Sequence, residues 1–99
     1  MIVIAGSVSI RPEKRAEAIR AALDMARATR AEPGCHAYRF SADLDDPNLM
    51  YIFEEWEDDA ALARHFQTPH MAAFRKLLPA IVAAPGTITR YSVSAAGPM

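Results

Sequence analysis

Cys35-His36-Ala37-Tyr38-Arg39-Phe40-Ser41-Ala42 and Leu49-Met50-Tyr51-Ile52-Phe53-Glu54-Glu55-Trp56-Glu57 are two runs rich in aromatic and aliphatic residues, joined through Asp45-Asp46-Pro47-Asn48. Such side chains suit a pleated, half-buried surface, whereas Asp, Asn and Pro favour turns. Residues 35–57 therefore read as an antiparallel hairpin. The flanks are helical. On the N-terminal side, Ala16, Ile19, Leu23 and Ala26 recur every three or four residues, predicting a helix to about Arg30 that buries this stripe. Arg11-Pro12-Glu13 opens that helix and Glu32-Pro33-Gly34 ends it. Glu17, Arg20, Asp24 and Arg27 form a mixed-sign, solvated stripe. Ahead of it, Ile2, Ile4, Val8 and Ile10 alternate with Val3, Ala5, Ser7 and Ser9, the period of a strand.

The C-terminal side repeats the pattern. Asp58-Asp59 can cap a short helix carrying Leu62, Ala63 and Phe66. Thr68-Pro69 restarts a helix whose inner face holds Met71, Phe74 and Leu78, with a break or bend expected at Pro79. Pro85-Gly86 turns the chain, and Thr87 to Ser94 alternates as a fourth strand. The order is β-α-β-β-α-β, a ferredoxin-like α+β arrangement with a four-stranded antiparallel sheet and both helices on one face. Val3, Ala5, Tyr51 and Phe53 fall on the other face and need cover, which a second copy's sheet would supply as a homodimer.

Residues 1–99 read as a single domain. Eleven Lys and Arg against twelve Asp and Glu leave no electrostatic case for nucleic acid. No apolar run approaches a membrane span, and Met1-Ile2-Val3-Ile4 starts as a strand without a leader, so a cytoplasmic protein is expected. The lone Cys35 rules out an internal disulfide and a thiolate metal cage, and is expected to act as a small hydrophobe.

No Gly-rich phosphate loop, nucleophile elbow or His-x-x-x-His pair is present, so no metal, flavin or haem cofactor is expected. His65 and His70 are five apart across a proline, a spacing that does not set two ligands side by side on one helix. The informative set is Glu54, Trp56 and His65. Glu54 and Trp56 share a strand side with Met50 and Ile52, and an acid on an apolar face needs a partner or a task. His65 can look inward from the short helix, forming either a polar corner of a pocket or a satisfied His–Glu bond. His70 reads as a helix-start residue. His36, Tyr38, Arg39 and Tyr51 read as surface or interface packing.

The segment Glu54-Glu55-Trp56-Glu57 through Ala61-Leu62-Ala63-Arg64-His65-Phe66-Gln67-Thr68-Pro69-His70-Met71 resembles the signature of the antibiotic biosynthesis monooxygenase superfamily. Glu32-Pro33-Gly34-Cys35-His36-Ala37-Tyr38 resembles its other landmark, and together they are similar to the bacterial quinol monooxygenase branch. The resemblance implies a dimeric α+β barrel that oxidises an aromatic quinol or polyketide-like phenol with O₂, without metal, haem or flavin. It implies His65, Trp56 and Glu54 as catalytic residues and a small aromatic substrate as partner. On that reading His65→Ala should cost ~100-fold in turnover while nearly sparing the melting temperature. The haem-degrading branch carries Asn, Trp and His where this chain has Ser7, His65 and Arg75, which implies that haem is not the substrate. A sugar-phosphate isomerase of the same fold and a non-catalytic dimeric barrel binding a small aromatic ligand stay open.

Overall fold

The computed structural model describes residues 1–99. The alternating N-terminal run forms β1 (Ile2–Ser9), and a single 3₁₀ turn (Pro12–Lys14) leads into α1 (Arg15–Arg30). The hairpin is β2 (Cys35–Ala42) and β3 (Leu49–Trp56). Its turn is held by Asp43, whose Oδ2 accepts from the Asp45 and Asp46 amides at 3.0 Å, and by Asp46 Oδ1, which accepts from the Asn48 amide at 2.9 Å. These are the local side-chain bonds that make Asp a turn former. Then follow α2 (Asp59–His65), α3 (Pro69–Ile81) and β4 (Thr87–Ser92).

The sheet order is β2-β3-β1-β4, and every neighbouring pair is antiparallel. Register sets Tyr38, Glu54, Ile4 and Arg90 in one row, and Arg39, Phe53, Ala5 and Thr89 in the next, pointing the other way. The helices cover the first of these faces, where Ile2, Ile4, Tyr38, Met50 and Trp56 are buried. On the opposite face Tyr51, Phe53 and Tyr91 keep 43%, 41% and 51% of their surface exposed. This is the ferredoxin-like α+β architecture expected from the element order. No helix is long and apolar enough to cross a membrane.

Several local expectations are corrected. α1 buries Ala18, Ala22, Met25, Ala26 and Thr29. Of the expected stripe, Ala26 is buried and Ile19 half-buried, while Ala16 and Leu23 are exposed. Alanines four apart let the helix lie close on the sheet, and Leu23, too large for that seam, is left at its margin. In α2 the buried residues are Ala61, Leu62 and His65, while Ala63 and Phe66 face outward. A helix of seven residues makes only about two turns, so its inner face is short. Both predicted caps form: Asp58 Oδ1 accepts from the Ala61 amide at 2.8 Å, and Thr68 Oγ1 from the Met71 amide at 3.3 Å. Pro79 does not end α3, which runs on to Ile81. The proline lies in the last turn, where few downstream bonds depend on it.

Gly34 joins α1 to β2 with φ +84°, and a Cβ there would come within 2.6 Å of the Ala61 Cβ. Gly34→Ala therefore meets both the left-handed backbone penalty and the seat of α2. A loss of at least ~1 kcal/mol is expected in urea unfolding. An unchanged denaturation midpoint would show that α2 shifts freely.

Candidate functional site

β3 alternation points Met50, Ile52, Glu54 and Trp56 toward the helices, and α2 brings His65 down onto them. Trp56, His65 and Glu54 are 0%, 1% and 7% exposed. The His65 ring lies 4.8 Å from the Trp56 ring and 5.5 Å from that of Tyr38, centroid to centroid. Trp56 Nε1 donates to Glu54 Oε1 at 2.8 Å, so the indole fixes one carboxylate oxygen. The three residues singled out in the sequence are thus one cluster.

The partner of His65 is not Glu54. Its Nδ1 lies 2.8 Å from Glu32 Oε2, and His70 Nε2 approaches the same oxygen at 2.8 Å. Each imidazole donates to this oxygen in the tautomer that carries its proton on the facing nitrogen. Two readings change here. Glu32, taken from sequence as part of a helix stop, is the hub of the polar cluster. His65 and His70, whose spacing does not set them side by side on one helix, converge. Thr68 explains the second change: its hydroxyl donates to the His65 carbonyl at 2.8 Å and caps α3, so the chain turns sharply between the two histidines. The one available signal for Glu32 was an acid placed directly before Pro33-Gly34, where the chain must turn back toward the sheet.

Burial pushes the Glu54 carboxyl up to about 7, assisted by the charge of Glu32 and opposed by the Trp56 N–H. Burial likewise lowers His65, against the Glu32 hydrogen bond that raises it. Cys35 is half-buried, and its thiol is pushed up by burial and then by Glu32 and Glu54. It is therefore poorly suited to act as a thiolate nucleophile. Burial also raises the Tyr38 phenol. Because His65 fills interior space, His65→Ala opens a cavity. Loss of stability replaces the expectation of a nearly unchanged melting temperature.

An apolar cavity of about 360 Å³ opens between the sheet and α3, walled by Val8, Phe40, Met50, Ile52, Phe74 and Leu78. Glu54, Trp56 and His65 do not line it. Glu54 stands two residues along the same strand face from Ile52, roughly 7 Å away. Among groups able to hold a cation, the ligand atoms of Glu32, His65 and His70 lie within 4.8 Å of one another.

A family model described as antibiotic biosynthesis monooxygenase matches residues 1–77. An uncharacterized protein of Synechocystis, sll1783, is 37% identical over 93 residues, covering 94% of this chain and 63% of its own length. The probable quinol monooxygenase YgiN of Escherichia coli is 37% identical over 51 residues, 43% of this chain and 49% of YgiN. The chain thus spans less than two thirds of the length of either relative. A crystal structure from Deinococcus radiodurans, of a protein assigned to the same family, superposes with a TM-score of 0.91. It is 29% identical and covers 100% of this chain and 98% of that one.

The buried pair makes opposite demands on pH. Between about 4.5 and about 7 the folded chain keeps a Glu54 proton that the unfolded chain has released, so stability falls as pH rises through that window. His65 is held below its ordinary value of 6.5, so the unfolded chain gains a proton first as pH falls, and stability is lost below that value. Glu54→Gln should remove the first slope and expose the second. Urea midpoints of the variant should rise between about pH 5 and about pH 7 relative to the parent. Parallel pH curves for the two proteins would refute the Glu54 assignment.

Proposed function

The chain belongs to the antibiotic biosynthesis monooxygenase family, and from that membership we propose that it oxidises a small aromatic quinol or polyketide-like phenol with O₂. The observation that carries the reading is the apolar cavity of about 360 Å³, its floor on the strand that bears Glu54 and Trp56. That volume lies within the range of small-molecule sites, and its aromatic and aliphatic wall suits a planar, weakly polar guest. The name of YgiN supports a quinol as the substrate class.

The chemistry asks little of the protein. A base takes the phenolic proton, and the electron-rich anion passes an electron to O₂. Recombination gives a hydroperoxide that loses water to leave an oxygenated quinone. The electrons come from the substrate, so the reaction calls for no flavin or haem. Glu54, Trp56 and His65 form the proposed catalytic group. Glu54 is suited to the proton because its carboxyl titrates to about 7, near working pH. Trp56 fixes Glu54, and His65 backs Trp56. The whole of residues 1–99 acts as one domain on this reading. The exposed Tyr51, Phe53 and Tyr91 face, with Val3 and Ala5, pairs with the same face of a second copy to close the barrel.

One observation favours a barrel that binds an aromatic ligand without turnover: none of the three proposed residues reaches the cavity wall. Oxygen uptake separates the readings. The purified chain with a panel of hydroquinones should consume O₂, and Glu54→Gln should lower kcat by about 100-fold with the hydroquinone KM little changed. Ligand binding without O₂ uptake would establish the binding protein. Light scattering at micromolar concentration should give twice the chain mass, and a monomer would remove the barrel.

A further inference from the structure

The fold gathers an imidazole from α2, an imidazole from the start of α3 and a carboxylate from the loop after α1. We propose that Glu32, His65 and His70 form a binding site for a divalent transition ion of the zinc class, with Glu32 Oε2, His65 Nδ1 and His70 Nε2 as ligands. The inference goes beyond the oxygenase reading and does not depend on it.

Three observations carry it. The first is convergence: both ring nitrogens lie 2.8 Å from one carboxylate oxygen, and all three atoms fall within 4.8 Å. A zinc ion held at ~2.0–2.2 Å from imidazole nitrogen and carboxylate oxygen needs donors a little over 3 Å apart, which small side-chain shifts provide. Two imidazoles and one carboxylate are a donor set that suits zinc and its neighbours, and three protein ligands leave a coordination position open.

The second is rigidity. The His65 ring is held between the rings of Trp56, Tyr38 and Phe66, and the Thr68 cap fixes the corner that separates His65 from His70. A prepared ligand loses little freedom on binding. The third is access. His65 is buried, but His70 is half-buried and borders a groove of about 170 Å³ between α1 and α3, where Asp24 also lies. Of the three ligands, His70 is the one that lines this groove, so it is the ligand on the solvent side of the site. Spacing along a single helix gave no reason to expect this site, because its third ligand comes from another part of the chain.

The test uses the tag-free, chelator-stripped chain. Titration calorimetry with Zn²⁺ should show one ion per chain, and Co²⁺ should give a visible ligand-field spectrum. His70→Ala and Glu32→Gln should each weaken Zn²⁺ binding by more than the ~10–100-fold typical of losing an outer-shell partner. His36→Ala should leave binding unchanged. Zn²⁺ should raise the melting temperature of the parent but not of His70→Ala. His70 is half-buried, so this variant preserves the test if Glu32→Gln fails to fold. No binding to the parent chain, or binding undiminished in His70→Ala, would overturn the proposal and leave the trio as a hydrogen-bonded clamp.

Discussion

The helices of this fold can cover only one face of its sheet, and alternation along the strands decides what each face receives. Along β3, Met50, Ile52, Glu54 and Trp56 turn toward the helices while Tyr51 and Phe53 turn away. A slip of one residue would exchange the two sets and put Glu54 and Trp56 in water. The register with β1 and β2 is therefore what builds both the apolar core and its one polar corner. It also leaves the aromatic side chains of the second face exposed.

That polar corner is costly to assemble, because an ionised group in an apolar interior must be matched by donors. Glu54 receives a single donor, from Trp56, and meets the cost by holding its proton to about 7. Glu32 instead meets two imidazoles at one carboxylate oxygen. The neighbouring carboxyls thus find different solutions, and Glu32 helps raise Glu54. In doing so Glu32 ties the loop after α1 to α2 and α3, and loss of Glu32 would leave the buried His65 Nδ1 unmatched.

Most of the architecture was legible from the sequence because it rests on local signals. Period-two runs marked the strands, the Asp-rich turn marked the hairpin, and Asp58 and Thr68 marked the helix starts. Helix faces were less legible: Leu23 looks like core by hydrophobicity, but alanine spacing decides which side of α1 lies closest to the sheet. The cluster of Glu54, Trp56 and His65 could be inferred because two of its members share a strand face. Glu32 could not, since its bond to His65 spans 33 positions and no local period reports it. The expected break at Pro79 does not occur for a related reason, as a proline's effect on a helix depends on where in the helix it falls.

The edge strand β4 has a consequence for kinetics. Its six residues are all exposed, and it is held chiefly by pairing with β1, with Arg90 reaching Asp59 of α2. Yet Gly86 and Ile88 complete the outer wall of the large cavity. The least anchored part of the sheet is therefore the part that closes the chamber. Fraying of a sheet edge needs far less free energy than displacing a packed helix. On the proposed reading, exchange of an aromatic guest with solvent in an isolated chain would follow the breathing of β4, and the proposed second copy on the helix-free face would slow it.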